Sequence, residues 1–92
     1  MEVVKIYQWS IPPELTGRFR RDWEKITKEV ASGFGQSMAT LFQMKNGDFI
    51  SVTKWPNQDS YQKWVSWIMA SQEGKLYHCY EIESGVPLVS LP

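Results

Sequence analysis

Val3 to Ile11 is dense in β-branched and aromatic residues. Pro12-Pro13 stops the run, because proline gives no amide hydrogen to a sheet ladder and restricts the residue before it, so the segment predicts a first strand. Leu15, Phe19, Trp23, Ile26 and Val30 then recur at three- and four-residue steps with charged residues between them, the period of an amphipathic helix. Ser32-Gly33 is expected to end that helix through a left-handed glycine cap. Gln36 to Met44 and Asp48 to Trp55 read as two strands joined by Asn46-Gly47, the pair that best tolerates the positive φ angles of a type I′ turn. With a two-residue turn Lys45 faces Asp48, and counting back pairs Met44 with Phe49, Phe42 with Ser51 and Leu41 with Val52. Alternation then sorts Leu41, Ile50 and Val52 onto one face, and Met38, Phe42, Met44, Phe49 and Trp55 onto the other, so neither face is polar. After Trp55-Pro56 a second helix is expected, with Asn57, Asp59 or Ser60 as candidate caps and Tyr61, Trp64, Val65 and Ile68 as its buried stripe. Tyr77 to Glu83 supplies a fourth strand, and Val86 to Leu91 is a short apolar tail bounded by prolines.

The order β-α-β-β-α-β is the split βαβ, or ferredoxin-like, arrangement: an α+β fold with both helices on one side of a four-stranded antiparallel sheet. A sheet apolar on both sides must be covered on both sides, and two helices cover one. A second copy of the same sheet is the simplest cover for the other, since symmetric association needs only one self-complementary patch. The chain is therefore expected to form a homodimer. At 92 residues it reads as one domain, residues 1–92, which alone buries only about two-thirds of the surface its unfolded chain exposes.

Ten basic residues balance ten acidic ones, so no net field exists to attract nucleic acid or an anionic membrane. Arg18, Arg20 and Arg21 form the one basic cluster, with Asp22 and Glu24 beside it, and a helix spreads them around a solvated face. No apolar run approaches the roughly 20 residues of a membrane helix, and the N-terminus lacks the layout of a signal peptide, so a cytoplasmic protein is expected. Cys79 is the lone cysteine, a buried thiol by default; with no CxxC or Cys/His set, no metal is expected. RNP-type runs, the arginine-bearing glycine loop of acylphosphatases, GxGxxG, phosphate loops, HExxH and serine elbows are all absent. His78 is the only imidazole, so histidine-dependent chemistry must run through it; alternation groups it with Tyr80 and Ile82 on the fourth strand. The composition stands out in Trp9, Trp23, Trp55, Trp64 and Trp67, side chains that serve cores, interfaces and flat-ligand pockets alike.

The lead-in Ser32-Gly33-Phe34-Gly35, the run Gly47-Asp48-Phe49-Ile50-Ser51-Val52-Thr53-Lys54-Trp55-Pro56 and the following Gln58-Asp59-Ser60-Tyr61-Gln62-Lys63-Trp64 together resemble the antibiotic biosynthesis monooxygenase family. By element order the resemblance spans the chain; by residue it is concentrated between Gly33 and Trp64. It implies a dimeric α/β barrel with a pocket in each protomer between the sheet and its two helices. It also implies oxidation of an aromatic, phenolic or quinone-like small molecule by molecular oxygen with no metal or flavin. Trp64 matches the family's second-helix tryptophan, which makes it a ring wall or orienting donor. Tyr7, Trp9, Trp55, Tyr61 and Trp67 are further lining candidates, and Asn57 is placed to donate to a substrate oxygen from the start of the helix. His78, Glu81, Asp59 or a tyrosine are the candidate bases. A second branch of the family degrades haem through a strand-one asparagine, the same tryptophan and an axial histidine on helix two. Here Gln8 stands near the asparagine position and Gly74 where the histidine is expected, a departure that argues against axially ligated haem. The same positions also suit two other roles: a non-catalytic binder of a flat ligand, and a dimerisation module whose tryptophans fill the core.

Overall fold

The computed structural model describes residues 1–29, 31–70 and 78–86, with backbone alone for 78–83. Its elements follow the expected order: β1 (Val3–Ser10), α1 (Thr16–Glu29), β2 (Met38–Gln43), β3 (Phe49–Trp55), α2 (Gln58–Ala70) and β4 (His78–Gly85), with 3₁₀ turns at Pro13–Leu15 and Ala31–Phe34. The four strands form one sheet in the order β2-β3-β1-β4, antiparallel throughout, which is the ferredoxin-like topology. No described helix is long and apolar enough to cross a membrane.

Both helices lie on the side of the sheet that carries Phe49, Ser51, Thr53 and Trp55 of β3, every one of them buried. Beneath α1, Phe19 packs with Phe49 and Ile11, joined by Trp9, Leu15, Trp23 and Leu41. Beneath α2, Tyr61 packs with Trp55 and Ala31, joined by Val3, Tyr7, Phe34, Trp64 and Val65. Arg18, Arg20 and Arg21 are exposed, and Arg18 Nε lies 3.6 Å from Asp22 Oδ2 on the solvated face of α1.

Two local expectations are corrected. The β2-β3 connection has three residues rather than two: Met44 N donates to Asp48 O at 2.8 Å, Gly47 N donates to Met44 O at 3.0 Å, and Gly47 has φ 95°. A turn closed by a left-handed glycine is the other hairpin that Asn-Gly supports. Asn46 favours it by accepting Asp48 N at 3.0 Å through its side-chain oxygen. The pairing therefore slips by one, to Leu41 opposite Ser51, Phe42 opposite Ile50 and Gln43 opposite Phe49. A one-residue slip exchanges faces. Leu41 thus joins Phe49 and Trp55 under the helices, while Met38 and Phe42 share the other side with Ile50 and Val52. Both sides still carry apolar residues. Val4, Ile6, Ile50 and Val52 are half-buried on the side away from the helices, where Met38 and Phe42 are 41% and 47% exposed.

The second correction concerns the end of the first helical segment. Gly33 keeps a negative φ, and the chain runs through the 3₁₀ turn to Gly35, at φ 91°. Gly35 N donates to Ser32 O at 3.0 Å and Gln36 N to Ala31 O at 3.3 Å, the paired bonds of a Schellman ending. Gly35 also abuts Pro56, where a Cβ would lie 2.8 Å from the ring Cγ, so the end of the first helical segment and the approach to α2 are fitted to one another.

Candidate functional site

Strand alternation aims Val3, Lys5, Tyr7 and Trp9 of β1 toward the helices, opposite Trp55, Thr53, Ser51 and Phe49 of β3. The ends of this face are apolar and belong to the two clusters. Its middle is polar. Trp9 Nε1 donates to Ser51 Oγ at 2.9 Å, Trp55 Nε1 donates to Thr53 Oγ1 at 2.9 Å, and Thr53 Oγ1 donates to the Lys5 carbonyl at 3.3 Å. Lys5 Nζ donates to Ser84 Oγ at 2.9 Å and lies 4.7 Å from the centre of the Tyr61 ring. Lys5, Ser51 and Thr53 are all buried. Among the described residues no buried side-chain nitrogen or oxygen lacks a hydrogen bond, which is what allows a polar seam to persist inside so small a core.

Over the α2 half of this face stands an aromatic stack. Trp64 and Trp67, one helical step of three apart, share a face of α2, with ring centres 5.9 Å apart and planes 16° from parallel. Trp64 in turn stacks on the buried Trp55 at 5.8 Å and 29°, and Phe34 meets its edge at 6.1 Å. Tyr61 sits edge-on to Trp55 at 5.5 Å and lies 6.4 Å from Tyr7. The stack runs from the core to the surface, where Trp67 is 40% exposed. The indole N–H groups of Trp9 and Trp55 are committed to Ser51 and Thr53. Half-buried Trp64 makes no side-chain hydrogen bond to any described residue, so its N–H is available to a ligand.

Of the residues singled out by sequence, Tyr7, Trp9, Trp55, Tyr61 and Trp64 converge on this face, and Trp67 closes the outer end of the stack. Asn57 is exposed at the start of α2, where its Oδ1 accepts Ser60 N at 2.8 Å. Its oxygen is thus the helix cap, and only its amide NH₂ remains to act on anything else. Asp59, a candidate base, points into solvent and pairs with Lys63 at 3.3 Å. The side chains of His78, Cys79, Tyr80, Glu81 and Ile82, and all of Gly74, lie outside the described residues; the His78 backbone pairs with Ser10. Of the tail only Val86 is described. Lys5, Ser51 and Thr53 were not among the sequence candidates. The alternation Val3-Lys5-Tyr7-Trp9 that places two lining candidates inside also places Lys5 there, and that was the available signal.

A separate cleft of about 320 Å³ lies between the C-terminal half of α1 and edge strand β2, lined by Trp23, Thr27, Gln36 and Met38 among others. None of the sequence candidates lines it. At its rim Lys28 Nζ donates to Glu24 Oε1 at 2.7 Å. That bond, and after it the charge attraction, holds the Glu24 carboxyl below its ordinary range and Lys28 above its own. Among the described residues no three of His, Cys, Asp and Glu gather closely enough to hold a metal ion.

No family model matches the chain, and no curated protein matches it in sequence. Solved structures do. SnoaB, a cofactor-independent oxygenase from Streptomyces nogalater, is 15% identical with a TM-score of 0.63, over 99% of this chain and 97% of that one. A mutant of MhuD with two manganese protoporphyrin IX bound per active site is 15% identical with a TM-score of 0.68, over 98% of both chains. A dimeric ferredoxin-like protein from an uncultured marine organism is 13% identical with a TM-score of 0.65, over 100% of this chain and 99% of that one. At these identities the likeness is one of fold.

Proposed function

We propose that this chain, whose fold is that of the antibiotic biosynthesis monooxygenases, is a cofactor-independent monooxygenase acting on an aromatic, phenolic or quinone-like small molecule held between the sheet and α2. The observation that carries the reading is Trp64. It is a half-buried indole within a flat aromatic stack, and it makes no side-chain hydrogen bond to a described residue, whereas its stacking neighbour Trp55, and Trp9 further along the sheet, have spent their N–H groups on the protein. A flat ring can stack there, and an oxygen on that ring can accept the free donor.

The chemistry asks little of the protein. An electron-rich phenolate or enolate transfers one electron to dioxygen, the substrate radical and superoxide join through a new C–O bond, and the hydroperoxide loses water. A substrate CH₂ and O₂ become C=O and H₂O, so no external reductant enters the balance. The protein must orient the ring, exclude water and favour the anion. Tyr7, Trp9 and Tyr61 serve as walls, Trp55 backs Trp64, and Trp67 extends the stacking surface outward. The Asn57 amide NH₂ is the further polar group assigned to a substrate oxygen. A second copy covers the sheet face bearing Ile50, Val52 and Phe42, an arrangement supported by the dimeric ferredoxin-like protein of the same fold.

The test is oxygen uptake with anthrones and quinols by the wild type and by Trp64→Phe. A hydrogen bond to a charged oxygen contributes about 1.5–3 kcal/mol, so Trp64→Phe is expected to lower kcat/KM about ten- to a hundredfold, with circular dichroism and dimer mass unchanged. Binding without oxygen uptake by the wild type would leave a ligand-binding domain and refute the oxygenase.

A further inference from the structure

The hairpin between β2 and β3 places a labile bond under structural control. Gly47 has φ 95°, a conformation that favours glycine, and nothing lies within 4 Å of the Cβ it lacks. The turn thus selects, directly after Asn46, the one residue type whose backbone nitrogen no side chain shields. In an unfolded chain that nitrogen can reach the carboxamide carbon of the preceding asparagine and close a five-membered succinimide. Asn46 and Gly47 are both exposed, so water and hydroxide reach them. Both are also tied down. Gly47 N donates to Met44 O at 3.0 Å, which holds the proton that the nitrogen must lose before it can attack. Asn46 Oδ1 accepts Asp48 N at 3.0 Å and Asn46 Nδ2 donates to Asp48 Oδ2 at 3.4 Å, so both ends of the carboxamide are held toward Asp48. Asp48 is anchored in turn, its Oδ2 accepting Gln8 Nε2 at 2.9 Å from β1. Asn57, the other asparagine of the chain, is followed by Gln58 and caps α2, so it lacks the bare neighbour.

We propose that Asn46 is a latent deamidation site which the folded hairpin holds shut, and that opening of the hairpin converts it, in one direction, to aspartate and isoaspartate. The proposal goes beyond the ligand site and stands without it. The chemistry needs only water. Gly47 N gives up its proton and bonds to Asn46 Cγ, the Cγ–Nδ2 bond breaks, and Nδ2 leaves with a proton as ammonia. Water then opens the ring, at the side-chain carbonyl to give aspartate or at the backbone carbonyl to give isoaspartate, and no electron is gained or lost. Either product sets a second negative charge beside Asp48. Isoaspartate also lengthens the loop backbone by one carbon, so the bond from Met44 N to Asp48 O that closes the hairpin cannot keep its geometry. β2 depends on that closure, because it lies at the edge of the sheet with β3 as its neighbour. The reaction therefore loosens the strand that carries Met38 and Phe42.

The test incubates the native protein beside the same chain unfolded in urea at neutral pH and measures aspartate and isoaspartate at position 46 by peptide mass spectrometry. The Gly47 to Met44 and Asp48 to Asn46 bonds must break before reaction, so the native rate is expected to be about ten- to a hundredfold below the unfolded one. Asp48→Ala removes the acceptor of Nδ2 and the tie to Gln8, and should narrow its own gap between native and unfolded rates about three- to tenfold. If Asp48→Ala does not fold by circular dichroism, Gln8→Ala, which removes only the tie from β1, is read in its place. The isolated isoaspartate fraction should melt about 4–8 °C below fresh protein, the loss of roughly one hydrogen bond. Equal native and unfolded rates at Asn46 would overturn the protection by the hairpin, and a gap that the variant leaves intact would overturn the part given to Asp48. No product at Asn46 even in urea would overturn the site itself, and an isoaspartate fraction that melts with fresh protein would overturn the loosening of β2.

Discussion

Gly35 and Gly47 form a matched pair of perturbations, because both have positive φ, 91° and 95°, and only one meets a neighbour. An alanine at Gly47 would find nothing within 4 Å of its Cβ, so its cost is that of the left-handed backbone alone, about 1–2 kcal/mol. An alanine at Gly35 bears the same backbone cost and also places its Cβ 2.8 Å from Pro56 Cγ and 3.1 Å from Cδ. The proline ring cannot swing aside as a flexible side chain would, and overpacking of this kind costs a further ~1–3 kcal/mol. For a domain of this size each kcal/mol lowers Tm by about 4–8 °C. Gly47→Ala should therefore melt roughly 5–15 °C below the wild type, and Gly35→Ala about 5–20 °C below Gly47→Ala. The assay is thermal unfolding by circular dichroism at one fixed protein concentration, since dimer formation would make Tm concentration-dependent. Equal melting temperatures for the two variants would refute the close fit between the end of the first helical segment and Pro56. That fit matters to the site because Pro56 lies between Trp55 and the Asn57 cap of the helix that carries Trp64.

On the sheet face away from the helices, Phe42→Glu is expected to weaken self-association. Half of a phenylalanine's burial is about 1.5 kcal/mol, and two-fold symmetry counts it twice, so the dimer Kd should rise about a hundredfold in analytical ultracentrifugation; an unchanged Kd would mean that the face is not the interface. Lys28→Met should return the Glu24 carboxyl titration, followed by NMR, to its ordinary range. Glu24 is lowered by Lys28, so the pair's contribution is present above the unfolded carboxyl pKa and is lost as pH falls through the lowered one; because both groups are fully exposed and screened, the melting temperature at neutral pH should not move measurably.

The elements of the fold were legible because each is signalled locally: Pro12-Pro13 after β1, the Phe19 stripe of α1, and Asn57 ahead of α2. The β2 register was not, since Asn46-Gly47 is compatible with a loop of two residues or of three. The choice was made by side chains, with Asp48 bonded to Asn46 and reached by Gln8 Nε2 at 2.9 Å from another strand. Nor could the sequence separate Gly33 from Gly35 as the cap, because what requires glycine at 35 is the ring of Pro56, distant along the chain. At the site the aromatic walls were legible from strand and helix periods. The polar seam beneath them was not, because Ser51 and Thr53 look like ordinary strand residues until Trp9 and Trp55 are seen to donate to them. Lys5 was readable from alternation alone, although a lysine on an inward strand position is normally assumed to face solvent.

The most direct test of the ligand site is a titration of the protein with alizarin, followed through the indole N–H resonances of its five tryptophans. The Trp64 resonance should move most, those of Trp9 and Trp55 should move less because Ser51 and Thr53 hold their protons, and that of Trp23 in the cleft beside α1 should stay fixed. A titration in which Trp23 shifts while Trp64 does not would place the ligand against α1 and β2 and contradict the site between sheet and α2.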